Sequence, residues 1–216
     1  MKYNLSVFND ESVLHKCINE TTLNYRAYDP GIYLYKLIFN FTYEDKFSNE
    51  FIELVYATLC AWNMNSRAAE LTEFNDFKKS IIENKELFDY FKNYKLSNFT
   101  EITNLEKLRT LFSKLKLCKQ NAKLVTHSKT MHFYLPDLIV PIDRTYTVQF
   151  FRGYTTNLGN LDEQFSLFLQ YHVQFSNFTK EKDLEKYLDG KCNRTIPKVI
   201  DNAIIGFLRL KNLNGI

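Results

Sequence analysis

The chain has few of the residues that make turns. Its 216 residues include only 6 glycines and 4 prolines, too few for a fold of many short strands joined by tight turns. Cysteine is sparse and unpatterned. Cys17, Cys60, Cys118 and Cys192 lie far apart and never form a CxxC pair. They read as thiols of a reduced, cytoplasmic protein rather than a disulfide framework. His15, His127, His132 and His172 show no metal-ligand spacing with cysteines or acids, so neither a metal centre nor a cofactor is expected. No apolar run is long enough to cross a bilayer, and the opening MKYNLSVFNDES lacks the apolar core of a signal peptide; no membrane association is expected. The net charge of +3 is too small to name a partner, so local clustering must decide.

What is present favours helices. Hydrophobic residues make up 45% of the chain and aromatic residues 16%, enough for a sizeable core in one domain spanning 1–216. Asp10 is a candidate N-cap, followed by Val13, Leu14, Cys17 and Ile18 on one helical face. The Asp-Pro-Gly at 29–31 reads as a breaker, and IYLYKLIFNF after it fits either helix or strand. NEFIELVYATLCAW, residues 49–62, is apolar on nearly every side and reads as a buried central helix. Asn63, Asn65 and Ser66 stand ready to end it and cap the next helix. EFNDFKKSIIENKELFDYFKNY suits one or two amphipathic helices. Leu105, Leu108, Leu111, Phe112 and Leu115 mark another, and DEQFSLFLQYHVQF a further one. Near the end, Thr195 caps, Pro197 enters the first turn, and Val199, Ile200, Ala203, Ile204, Phe207 and Leu208 form one face. The expected fold is all-α, in two helical lobes with a cleft near 124–146.

Charge is concentrated in one place. Between Lys107 and Lys129 lie seven basic residues and no acid: the run includes Lys114, Lys116, Lys119 and Lys123. Such a run attracts phosphates; it also suits the solvated face of a helix. It leads directly into THSKTMHFYLPDLIVPIDRTYT, where Asp143 follows an apolar stretch. Asp143 is placed either to cap the next helix or to stand as a catalytic carboxylate at the mouth of a cleft.

The order of these parts resembles the helix-hairpin-helix DNA glycosylases, the endonuclease III superfamily. In that family a lysine-bearing helix follows a hairpin, and an aspartate then opens the next helix. VPIDRTYTVQFF is similar to the family's aspartate segment at Val140, Pro141, Ile142, Asp143 and Tyr146. LVTHSKTM stands where the hairpin and its lysine fall, and FIELVYATLCAWNMNSRAAEL where the early buried helix and its polar loop fall. The likeness covers roughly residues 50–155.

The resemblance implies a helix-hairpin-helix-like element before Asp143 and excision of a damaged or modified base flipped out of duplex DNA by a monomeric protein. Asp143 would stabilise the cationic sugar, and Lys129 would supply an amine able to attack the anomeric carbon, adding an abasic-site lyase step. Lys114, Lys116, Lys119, Lys123, Thr126, His127, Ser128 and Arg144 would meet the nucleic acid. Trp62, Asn63, Met64, Asn65, His132, Tyr134 and Tyr146 would line the base pocket or wedge the stack. Each also has a plain structural reading as core, cap or surface. Two other classes fit the same features: a non-catalytic helical nucleic-acid-binding module, and a helical domain whose basic run meets an acidic protein.

Overall fold

A computed structural model describes residues 2–24, 29–64, 70–155 and 158–213. Its elements are helical: α1 (Glu11–Leu23), α2 (Pro30–Ile38), α3 (Asn49–Ala61), α4 (Phe74–Glu83), α5 (Lys85–Phe91), α6 (Leu105–Lys114), α7 (Lys123–Tyr134), α8 (Gln149–Arg152), α9 (Leu161–Glu181) and α10 (Ile196–Leu213). Short 3-10 turns join several of them, and no strand occurs among the described residues, where the nearest thing is a single antiparallel bridge between Leu71 and Cys118. No described helix is long and apolar enough to cross a membrane.

The helix ends follow local chemistry. The Asp10 side chain accepts from the Ser12 N–H at the start of α1. Thr195 Oγ1 accepts from the Lys198 N–H, with Pro197 in the first turn of α10. Asp29 does more than interrupt the chain. Its carboxylate accepts from the N–H groups of Gly31 and Ile32, and Pro30 supplies a fixed φ at the first position, so the breaker is the start of a helix. That resolves IYLYKLIFNF as helix as far as Ile38, with a turn after it. The 73–94 stretch forms two helices, α4 and α5, which part at Asn84.

The central helix is not the expected one. Glu50, Glu53 and Ala57 leave one side of α3 exposed. The helix buried on every side is α7, in which all residues from 124 to 134 are buried. It packs against α3 and α9. The turn preceding it lies at 115–122, fixed where Lys119 N–H donates to Glu70 O at 2.8 Å and Thr72 N–H to Leu117 O at 3.1 Å. Residues 124–128, read from the sequence as the hairpin, are therefore helix interior. They carry no glycine or proline to break the helix, and burial of Leu124 and Val125 favours continuing it. At the far end of α7, buried Lys46 donates to Phe133 O at 2.9 Å and Tyr134 O at 3.1 Å. A cation there complements the helix's negative end, although burial pushes its pKa down to about 8.

The two ends of the chain meet where α1 crosses α10. Thr21 Oγ1 donates to Asn202 O at 2.6 Å, and Gly206 lies directly against α1. A Cβ at Gly206 would stand 1.8 Å from the Cys17 carbonyl oxygen. That contact is with backbone, which cannot swing aside. Gly206→Ala should therefore force the helices apart and lower stability by about 1–3 kcal/mol, measured by urea unfolding. A variant as stable as the wild type would show that this crossing is not close-packed.

Candidate functional site

Building α7 from polar residues creates a problem that the rest of the site solves for Ser128 and His132, whereas the Thr126 and Thr130 hydroxyls have no partner among the described residues. Thr126, His127, Ser128, Thr130 and His132 are each 0% exposed, and buried polar groups need partners. Several partners lie in the extended stretch after the helix. Ser128 Oγ accepts from the Ile142 N–H at 3.0 Å and donates to Val125 O at 3.1 Å. His132 Nδ1 lies 2.7 Å from Ile139 O. A carbonyl only accepts, so Nδ1 carries the proton, and Nε2 accepts from the Tyr35 hydroxyl at 2.9 Å. By the same reasoning His172, on α9, donates from Nδ1 to Phe168 O at 2.8 Å and accepts the Val140 N–H at Nε2, 3.0 Å away. These contacts fix residues 139–142, and so fix Asp143.

Asp143 is the cap that its sequence position suggested, and it also carries an ion pair. Oδ1 caps the following turn, accepting from the N–H groups of Thr145 at 2.8 Å and Tyr146 at 3.3 Å. Oδ2 accepts from Lys129 Nζ at 2.8 Å. The turn is a wide π-type one, closed by the Val148 N–H on Asp143 O, a geometry that often marks functional positions. Burial pushes the Asp143 carboxyl up, but the Lys129 ammonium and the two N–H groups outweigh it and hold the carboxyl below its ordinary value. The carboxylate is 27% exposed and the lysine side chain 8%.

The pair opens onto a cavity of about 280 Å³. Trp62 forms one wall. It follows α3 in a Schellman turn: Asn63 adopts the left-handed conformation at φ 59°, the Asn63 N–H meets Cys60 O, and the Met64 N–H meets Leu59 O. Gly31 makes room for the indole, since a Cβ there would lie 2.6 Å from Trp62 Cδ1. Lys129 Nζ sits 5.6 Å from the Trp62 ring centre. A second buried ion pair, Lys198 with Asp201 on α10, shares the lining. Lys198 Nζ is 5.4 Å from the Trp62 ring and 5.7 Å from that of Tyr35. Burial raises the Asp201 carboxyl, and the nearby Lys198 offsets this only in part.

Of the residues singled out from the sequence, Trp62, Asn63, Lys129, Asp143 and Tyr146 meet around this one cavity. Met64 lies just behind them, its sulfur 3.9 Å from Lys129 Nζ. Asn65 and Ser66 lie outside the described residues. His132 is held away from the cavity by Tyr35 and Ile139. Tyr134 is buried among Phe47, Phe51 and Phe88, so neither His132 nor Tyr134 lines the pocket. Thr126, His127 and Ser128 are fully buried and reach no phosphate, because α7 is the core helix rather than a surface hairpin. Arg144 donates from Nε to Thr155 O.

The basic run is less free than its sequence suggests. Lys119 pairs with Glu70 at 2.7 Å and Glu73 at 3.2 Å, and Arg109 with Asp162 at 3.4 Å. Lys123 donates to Cys118 O at 2.7 Å. Lys114 and Lys116 remain exposed. Sequence reasoning missed Lys198, Asp201 and Arg209. The signal was there: charges at 198 and 201, three apart on the same face of an otherwise apolar helix. No family model, curated protein or solved structure matches this chain.

The buried histidines give the molecule an acid sensitivity. Burial pushes His127 and His132 down to about 3 and His172 to about 4. Free imidazole protonates near pH 6.5. Below that value the unfolded chain takes up protons that the folded one refuses, so stability falls by about 1.4 kcal/mol per pH unit for each histidine. His127 makes only a marginal contact with the Phe112 backbone, too poorly aligned for a good hydrogen bond, and packs edge-on to the Phe112 ring. His127→Leu should therefore remove about one third of the slope between pH 6.5 and 5, with little loss of stability at neutral pH. Urea titrations across that range test this; an unchanged slope would show that the imidazole is protonated in the fold.

Proposed function

We propose that this protein is a DNA glycosylase that takes a damaged or modified base flipped out of a duplex and hydrolyses its N-glycosidic bond. The observation that carries this reading is the ionised Asp143 carboxylate, bonded to Lys129 on the wall of an aromatic-sided cavity. At about 280 Å³ the cavity lies near the lower end of the ~300–1,000 Å³ range of small-molecule clefts. That size suits a single ring system. Trp62 and Tyr146 offer faces on which a base can stack, and exposed Lys114 and Lys116 are available to the DNA backbone.

In the reaction, the bond between the anomeric carbon and the base nitrogen breaks, and its electron pair leaves with the base. The sugar is left with positive charge. A carboxylate already fixed in a partly dry site stabilises that charge without reorganising water, and it orients the water that then adds to the anomeric carbon, the proton this water loses ending on the departed base. The Lys129 amine is engaged as an ammonium with Asp143, so its lone pair is not available for attack. The expected reaction is therefore hydrolysis alone, without strand nicking.

The test is excision of lesion-bearing duplexes by Asp143→Asn. Asparagine keeps the shape and caps about as well as aspartate, but it removes the charge. Excision per folded molecule should fall by roughly a hundredfold or more. Borohydride should trap no protein–DNA adduct with the wild type; a trapped adduct that Lys129→Gln abolishes would make the lysine a nucleophile. Undiminished excision by Asp143→Asn would sink the glycosylase reading. Salt-dependent DNA binding with no abasic product from the wild type would instead favour a non-catalytic binding module.

A further inference from the structure

We infer that Arg209 is an anion-binding residue at the cavity, placed to take the phosphate of the nucleotide whose base the cavity accepts. The charges around the lining pair off one by one, with a single exception. Asp143 is bonded to Lys129 and to two backbone N–H groups. Asp201 is bonded to Lys198. Asp29 accepts from the N–H groups of Gly31 and Ile32 at 2.9 and 3.3 Å. Each carboxylate in the lining thus has a donor, and each lysine has a carboxylate.

Arg209 is the exception. It borders the same cavity but forms no ion pair among the described residues, and its Nη1 is buried without a hydrogen-bond partner. Its guanidinium lies 6.0 Å from the Tyr146 ring centre. That places it near the turn opened by Asp143 and limits how it can reorient. Arg209 as a residue is only partly buried, but its sealed Nη1 is costly to leave unsatisfied. The planar guanidinium fork matches two oxygens of one phosphate, which an ammonium does not. The carboxylates of the lining are already engaged, so an anionic ligand is the acceptor that completes the set. That the anion is a nucleotide's own phosphate rests on the base-excision reading; that Arg209 holds a phosphate does not.

Trp62 is the single tryptophan of the chain and lines this cavity. Its fluorescence therefore reports binding without any catalysis. The probes are inorganic phosphate, a nucleoside, its 5′-monophosphate, and a duplex with a stable abasic-site analogue flanked by either a phosphodiester or a neutral methylphosphonate. Phosphate-bearing probes should bind the wild type about tenfold or more tightly than their neutral counterparts. Arg209→Gln should erase that difference, and Arg209→Lys, which keeps the charge but not the fork, should retain only part of it. If the monophosphate shows the full effect, the phosphate comes from a free nucleotide; if only the duplex does, it belongs to a strand. Circular dichroism and thermal unfolding establish that the variants are folded, and Arg209→Lys carries the test if the glutamine variant is not. The inference is overturned if no probe shows a phosphate preference, or if the preference persists in folded Arg209→Gln or is undiminished in Arg209→Lys. Failure of the excision test at Asp143 would leave these binding outcomes unchanged, so the two ideas fail separately.

Discussion

The backbone from 139 to 143 runs through the core outside any helix, with no strand beside it among the described residues, and the site depends on how its N–H groups are satisfied. The Ile139 N–H turns back to Leu135 O, the Val140 N–H meets His172, the Ile142 N–H meets Ser128, and the Asp143 N–H meets Thr147 Oγ1 at 3.0 Å. Pro141 has no N–H to satisfy. Side chains from α7, α9 and the turn after Asp143 thus do what a neighbouring strand would do in a sheet. Buried backbone donors must be paired somewhere. Here the pairing ties three helical elements to one short segment, and that segment ends at the carboxylate.

This explains why α7 buries Ser128, Lys129 and His132. Its serine and histidine face a segment whose polar groups need them, and its lysine faces the aspartate that the segment presents. Replacing these residues by apolar ones would leave backbone groups unsatisfied at a cost of about 1–3 kcal/mol each. Tyr35 extends the network outward. It holds His132 from one side and stands 5.6 Å from Trp62 on the other. The wall of the cavity is therefore braced by the same bonds that fix its carboxylate.

Much of the fold was legible in the sequence because helix ends are written in short-range chemistry. Asp10 and Thr195 announce their helices within four residues, and the apolar face of α10 repeats cleanly. Asp143 and Lys129 were legible as a pair of interest, and Trp62 and Tyr146 as aromatic neighbours. What could not be read depends on contacts distant in sequence. The 124–134 stretch looks amphipathic at best, because Ser128, Lys129 and His132 find partners in Tyr35 and the 139–143 segment, distant in sequence, so nothing local reports its burial. The basic run looked free because Glu70, Glu73 and Asp162 lie outside it. Asp29 looked like a breaker because a capping residue and a turn residue are the same amino acids, distinguished only by the residues after them. Lys198 and Asp201 were legible as misfits on an apolar face, but their partner cavity was not.

Two ion pairs around one cavity are a poor route to stability. Removing charges from water costs several kcal/mol per ion, and apolar residues of similar volume often do as well or better in their place. Under the proposed function, the Lys129–Asp143 and Lys198–Asp201 pairs are better explained by what they offer a ligand than by what they add to the fold. Each pair is close to neutral overall, so an uncharged base is not repelled. Each also holds a separated plus and minus in a region of low dielectric, where a new charge is felt strongly. Under the proposed reaction the new charge is positive and develops on the sugar beside Asp143. The carboxylate is then drawn between its lysine and the sugar, and the stabilisation grows only as the bond breaks. An interaction that strengthens toward the transition state raises the rate, whereas one equally strong in the ground state does not. A carboxylate with one oxygen committed to its cap and the other shared with a single ammonium is fixed in position yet still able to respond to a second cation.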